Sequence, residues 1–204
     1  MVDTRVSERT IARAVQGDEA SQRVIYETYH ARASRLAYLL LRDALDTEEV
    51  VQDAFVYALR NLVAYDGGRA SFWTWLRVIL VSRCRNKRRR KRLPRVSLEQ
   101  LVADGQEPRD SQELGDPPRA LARRDTQRSV YEALDEISPG ARDALILRYY
   151  EGLPYATIGE ALSCTEAAAR QRVLHGKRQL RDVLRRRGAT AGIELGTAQS
   201  AEVT

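Results

Sequence analysis

Apolar residues recur along this chain at helical spacing, and no stretch alternates apolar with polar as a half-buried strand would. Residues 8–16 read as a short helix, capped by Ser7 and stopped at Gly17. Asp18 caps a long second helix with Val24, Ile25, Tyr29, Leu36, Leu40 and Leu41 among its apolar positions. A third helix is expected from about Thr47 to Ala64, with Val50, Val51, Ala54, Phe55, Ala58, Leu59 and Leu62 on one face. It breaks at YDGGRAS, a turn built on paired glycines. The fourth helix, Phe72 to Arg92, sets Phe72, Trp75, Leu76, Ile79 and Leu80 on one stripe.

The pattern then lapses. Residues 93–127 hold four of the six prolines among many Asp, Glu, Gln and Gly, too polar to form a core, and read as a flexible acidic linker. Helical periodicity returns over 128–187, and residues 188–204 read as a disordered tail of small and polar residues. The expected fold is all-α: two small helical domains, 8–92 and 128–187, joined by the linker.

Within the second domain, Val130, Leu134 and Ile137 form an apolar face ended by Ser138-Pro139-Gly140, and residues 141–151 follow with Ala144, Leu145 and Leu147. Next come two helices separated by Ser163-Cys164-Thr165. Ile158, Ala161 and Leu162 belong to the first, and Ala169, Val173 and Leu180 to the second. Thr165 is a good N-cap. A short turn followed by a basic helix is the helix-turn-helix arrangement that reads duplex DNA. With Ala169 and Val173 inward, Arg170, Gln171, Leu174 and His175 face outward, flanked by Lys177 and Arg178. Arg and Gln can hydrogen-bond base edges in a bidentate way. The competing reading is an ordinary pair of helices with one charged face.

Charge sharpens the picture. The segment Arg83–Arg92 has eight basic side chains and no acid, and 164–187 has eight basic against two acidic residues. Between and before these poles, 46–82 (three basic, five acidic) and 93–127 (five basic, seven acidic) are net negative. Two separated basic poles point to a polyanion, for which nucleic acid is the usual partner. Trp73 lies off the apolar stripe of its helix, beside Gly67-Gly68 and ahead of the basic run. It is either an exposed platform on which an unpaired base stacks or a cover for the edge of the domain.

Other classes fall away. No apolar run approaches the roughly 20 residues of a membrane span, and MVDTRVSERT does not look like a signal peptide, so a cytoplasmic protein without membrane insertion is expected. Two distant cysteines, Cys84 and Cys164, and two histidines, His30 and His175, offer no metal-ligand spacing. No phosphate loop and no convergent carboxylate cluster is evident. No metal, no cofactor and no enzymatic activity are expected.

The stretch DTEEVVQDAFVYALRNLVAYDGGRASFWTWLRVILVSRCRNKRRR resembles the core-binding and −10-recognition regions of bacterial sigma factors, and YATIGEALSCTEAAARQRV resembles their −35-reading helix-turn-helix. Two domains with no third between them resemble the extracytoplasmic-function (group 4) class of the sigma-70 family. The resemblance covers about residues 8–187. It implies a transcription initiation factor that binds core RNA polymerase, at the β′ clamp and β flap, and directs it to promoter DNA.

On that resemblance Asp46, Glu49, Val50, Gln52, Asp53 and Phe55 would contact the polymerase. Tyr65, Arg69, Ser71, Phe72, Trp73, Ser82, Arg83, Arg85, Asn86, Arg88 and Arg89 would bind the −10 element and hold a flipped base. Thr165, Glu166, Ala168, Arg170, Gln171, Leu174, His175, Lys177 and Arg178 would bind the −35 element. The linker would imitate nucleic acid by its charge. An anti-sigma factor is an expected partner, because the class is often held inactive by one. The chain departs from the family at Ser82 (often Asn), Asn86 (often Asp), Ser163 (usually Gly) and His175 (frequently Arg), which obscures the promoter sequence it would read. The rival function is a stand-alone helix-turn-helix regulator, which would leave the acidic third helix and the linker without a purpose.

Overall fold

The structure is a computed structural model that describes residues 6–92 and 129–188. The expected linker and tail lie outside these residues. Among the described residues every regular element is helical.

Four helices build the first domain. In α1 (Glu8–Val15) the Ser7 hydroxyl accepts from the Thr10 N–H, and in α2 (Glu19–Leu41) Asp18 accepts from the Ser21 N–H at 2.9 Å. Helix α2 ends where Arg42 turns left-handed, at φ 56°. α3 (Ala44–Arg60) starts three residues earlier than the apolar pattern predicts. Asp43 caps it through the Asp46 N–H, and the Thr47 hydroxyl returns a hydrogen bond to the Asp43 carbonyl. It also ends earlier. The Asn61 side-chain amide donates to the Tyr57 carbonyl at 2.8 Å, and the chain tightens into a 3₁₀ turn over Leu62–Ala64. α4 (Phe72–Arg92) begins after Ser71, whose hydroxyl accepts from the Thr74 N–H.

Helices α2, α3 and α4 pack on one another, with α1 against α2. Ile25, Leu36, Leu40, Val51, Leu62, Leu76 and Leu80 are fully enclosed. Two expectations shift here. Val24 is exposed, and Trp75 and Ile79 are only partly buried while Trp73 is buried. The buried face of α4 is therefore rotated from the predicted stripe, because the helix meets a second surface besides the first domain's core.

In the second domain α5 is described over residues 129–135 and α6 spans Pro139–Leu145. Where one continuous helix was expected to residue 151, α6 gives way to a π-helical turn, Ile146–Tyr150. The wider turn lets Ile146 and Leu147 stay buried and ends the segment at Glu151. α7 (Tyr155–Ala161) and α8 (Glu166–Arg186) complete it, α6 and α7 both lying on α8.

Two glycines mark where backbones come close. A Cβ on Gly159 would sit 2.7 Å from the Cys164 carbonyl oxygen, inside the turn joining α7 to α8. A Cβ on Gly176 would meet the Leu145 side chain at 2.9 Å, where α8 crosses α6. In that turn Ser163 takes φ 50°, a conformation that favours glycine.

Candidate nucleic-acid interface

Helix α8 offers the plainest reading surface. Thr165 caps it through the Ala168 N–H at 3.2 Å, and Ala169, Val173 and Leu180 are buried as expected. Arg170, Gln171, Leu174, His175 and Arg178 are exposed along one stripe. Leu174 is 42% exposed, an apolar contact set among polar ones. Arg170 is steadied by Glu166 at 3.2 Å and lies over the Tyr155 ring at 4.7 Å, so its reach is set by α7 as well as α8. Lys177 is half-buried with its ammonium over the Tyr149 ring, and Ala168 is half-buried.

The basic end of α4 is engaged in contacts that its run of eight basic side chains does not reveal. Lys87 pairs with Asp46 and Glu49, and Lys91 pairs with Asp43 and Asp46, tying α4 to α3. Hydrogen bonding to Asp46 holds the Lys91 pKa above its ordinary value. Arg83 lies over the Tyr57 ring at 4.7 Å. Arg85 donates to the Ala161 carbonyl and the Ser163 hydroxyl, and Arg88 pairs with Asp143, all in the second domain. Ser82, Asn86 and Arg89 remain exposed at i, i+4 and i+7, with Arg90 beside them. Arg85 and Arg88, two of the expected −10 residues, are thus held in this arrangement by carbonyl, hydroxyl and carboxylate oxygens of the second domain.

Of the two readings of Trp73, its burial matches the cover rather than the exposed platform. It is 4% exposed, stacked on Tyr29 at a 6.2 Å centroid separation, with the Arg32 guanidinium 4.3 Å above its ring. Its indole N–H donates to the Glu151 carboxylate at 2.9 Å. Phe72 is buried too, edge-on to Tyr65, whose hydroxyl donates to the Ala70 carbonyl. Among the remaining expected −10 residues, Arg69 and Ser71 are exposed.

Glu151 belongs to no motif and was not among the expected site residues. Its side chain is 2% exposed and accepts from Trp73, from Arg77 at 3.0 Å and from Arg32 at 3.3 Å. Burial lowers the Arg77 pKa, and its bond to Glu151 opposes that. Asp143 is the second such group. Burial pushes its pKa up, Arg88 opposes this, and its Oδ1 is buried without a hydrogen-bond partner. Cys84 sits beside this contact, its thiol pushed up to about 12 by burial, so it is chemically quiet.

Helix α3 separates into two faces. Val50 and Phe55 are buried in the core, and Asp46 is buried against Lys87 and Lys91, so these three expected polymerase contacts serve the first domain internally. Glu49, Gln52 and Asp53 are exposed. Leu45, 68% exposed, and Val56 frame them, with Glu48 alongside. Exposed apolar residues at both ends of an acidic stripe form a surface suited to a protein partner. Sequence reading missed Leu45 because it placed the start of the helix too late, whereas Glu48 and Val56 lay inside the expected helix but were not singled out.

Among the described residues no helix is long and apolar enough to cross a membrane. The family model for sigma-70 region 2 matches residues 25–93, and that for sigma-70 region 4 matches residues 127–180. The RNA polymerase sigma-H factor of Pseudomonas aeruginosa is 25% identical over 193 residues, 87% of this chain and 93% of the relative. The extracytoplasmic-function sigma factor SigK of Mycolicibacterium vanbaalenii is 29% identical, covering 85% of this chain and 87% of the relative. Among solved structures, CnrH in complex with the cytosolic domain of CnrY aligns with a TM-score of 0.58 at 19% identity, over 87% of this chain and 96% of that one. RpoE of Bartonella quintana in complex with the anti-sigma factor NepR aligns with a TM-score of 0.55 at 20% identity, over 80% and 96%. These two structures share the fold. With both sigma regions matched in order and relatives aligned along most of its length, the chain belongs to the sigma-70 family, in its extracytoplasmic-function branch.

Proposed function

We propose that this protein is a promoter-directing subunit of bacterial RNA polymerase that acts in the cytoplasm and catalyses nothing itself. The observation that carries the reading is the exposed stripe Arg170, Gln171, Leu174, His175 and Arg178 on the second helix of a helix-turn-helix. It is joined in one chain to a domain with its own basic helix and an acidic, apolar-framed stripe on α3.

Each surface suits one task. The α8 stripe enters the major groove of the −35 element, with Arg170 and Gln171 as base readers. Ser82, Asn86 and Arg89, with the loop carrying Arg69 and Ser71, face the −10 element. The stripe of Leu45, Glu48, Glu49, Gln52, Asp53 and Val56 docks on the core polymerase, which performs all the chemistry. Its acidity keeps that surface from competing for DNA. An anti-sigma factor fits as a further partner, since RpoE, a solved structure of the same fold, was captured with the anti-sigma factor NepR.

The test is reconstitution. Purified core polymerase is mixed with this protein, recovered by affinity, and assayed for run-off transcription on promoter fragments. Stable association with transcripts that depend on the promoter supports the reading. Duplex binding without polymerase association would move the protein to the stand-alone regulators.

A further inference from the structure

We propose that Arg32, Arg77 and the Trp73 indole N–H form an anion site on the first domain that receives a DNA backbone phosphate. Glu151 of the second domain is its built-in occupant. The phosphate half of this proposal rests on the promoter-binding function above; the occupancy by Glu151 does not.

The geometry is that of a receptor. Donors from α2 and α4 converge on one oxygen, Glu151 Oε2: Trp73 Nε1 at 2.9 Å, Arg77 Nη1 at 3.0 Å and Arg32 Nη2 at 3.3 Å. With Glu151 in place the Arg77 side chain is only 6% exposed, so in this arrangement it is a nearly enclosed cation that needs an anion beside it. The donors are held in place before any ligand arrives, because Trp73 is stacked on Tyr29 and Arg32 lies over the indole. Arg32 also has a donor to spare, since its Nε is buried with no hydrogen-bond partner. A carboxylate leaves that N–H unused; a phosphate, with more oxygens, can accept it.

A second contact repeats the logic along the same helix. Eleven residues beyond Arg77, about 16 Å along α4, Arg88 is held by Asp143. Arg85, between them, is capped by the Ala161 carbonyl and the Ser163 hydroxyl. Thus the second domain covers three guanidinium groups of α4 with its own oxygens. These are groups that would otherwise face a polyanion. In the closed arrangement the first domain cannot take DNA at this surface, and entry of DNA requires Glu151 to leave. The contact both stores the free protein in a closed form and keeps its cations from nonspecific nucleic acid.

The experiment uses the full-length protein, without polymerase, and a fluorescent single-stranded oligodeoxynucleotide of arbitrary sequence as probe. Small-angle X-ray scattering and energy transfer between the domains report opening. Glu151→Gln is expected to raise the radius of gyration and tighten oligonucleotide binding about tenfold, as a closed population is released. It should also steepen the logarithmic salt dependence by roughly 0.7, the value for one additional phosphate on a single strand. Adding Arg77→Ala to Glu151→Gln should abolish both the gain and the extra slope.

Asp143→Asn loosens the other contact without touching the anion site, and should tighten binding even if Glu151→Gln folds poorly. An open Glu151→Gln protein with unchanged affinity and slope would overturn the phosphate site. No opening in either variant would overturn the occupancy by Glu151. Polymerase association by the same variants is scored separately, so a failure of the promoter-binding function is told apart from a failure here.

Discussion

The indole N–H of Trp73 donates to the Glu151 carboxylate at 2.9 Å across 78 residues of sequence. A tryptophan at the start of a basic helix is thereby turned from an outward platform into a buried donor held by another domain. A hydrogen bond to a charged acceptor contributes about 1.5–3 kcal/mol. Trp73→Phe retains the ring on Tyr29 but removes the donor, and urea unfolding should register a loss in that range. A loss below about 0.5 kcal/mol would mean that the two domains do not depend on this bond.

Helical glycines are ordinarily improved by alanine, by up to about 1 kcal/mol. Gly159 and Gly176 should show the opposite sign. Gly159→Ala drives a methyl into the Cys164 carbonyl and should cost about 3 kcal/mol. Gly176→Ala meets mainly the Leu145 side chain, so its cost should shrink in a Leu145→Ala background. Thermal unfolding of the four variants checks both.

Arg170 and Gln171 are exposed at the centre of the α8 stripe. Replacing either with Ala should leave the melting temperature unchanged and reduce discrimination at one or two promoter positions by about 1–3 kcal/mol each. Neutralising Arg89 and Arg90, which are exposed, should instead weaken duplex binding on all sequences. It should lower the salt slope by about 2. Binding titrations against matched and scrambled duplexes at several salt concentrations separate the two behaviours.

On α3, surface and core substitutions should part company. Asp53→Lys is exposed and should reduce polymerase association without altering stability. Phe55→Ala empties a buried position beside Tyr26 and should cost about 3–5 kcal/mol of stability. Its effect on polymerase association would then follow from unfolding, which a pull-down combined with a melting curve reveals.

Acid should loosen the start of α3. The Asp46 N–H, and then Lys91, hold the Asp43 carboxyl below the usual carboxylate pKa. A group depressed in this way contributes stability above its unfolded pKa of about 3.9, and that contribution is lost as pH falls through the folded value. Asp43→Asn keeps a capping oxygen without the charge. Its acid-unfolding curve should be flatter below about pH 4.

Much of this protein was written in its sequence because it depends on neighbours within one or two turns. Ser7, Asp18 and Thr165 cap the helices expected of them, and Ala169 and Val173 fix which face of α8 is left for DNA. Ser163, standing where the family usually has glycine, does adopt the left-handed backbone. The start of α3 was misjudged because a capping aspartate outranked the apolar pattern, and Leu45 was missed with it. What the sequence could not disclose is where its charges go. Arg85 and Arg88 look like free cations until Asp143 and Ser163 arrive from at least 55 residues away. Glu151 looks like any exposed acid until Arg32, Arg77 and Trp73 enclose it. A helix's shape follows from local spacing, whereas the partner of a long charged side chain is chosen by whichever surface the fold brings within reach. Only the tertiary structure decides that.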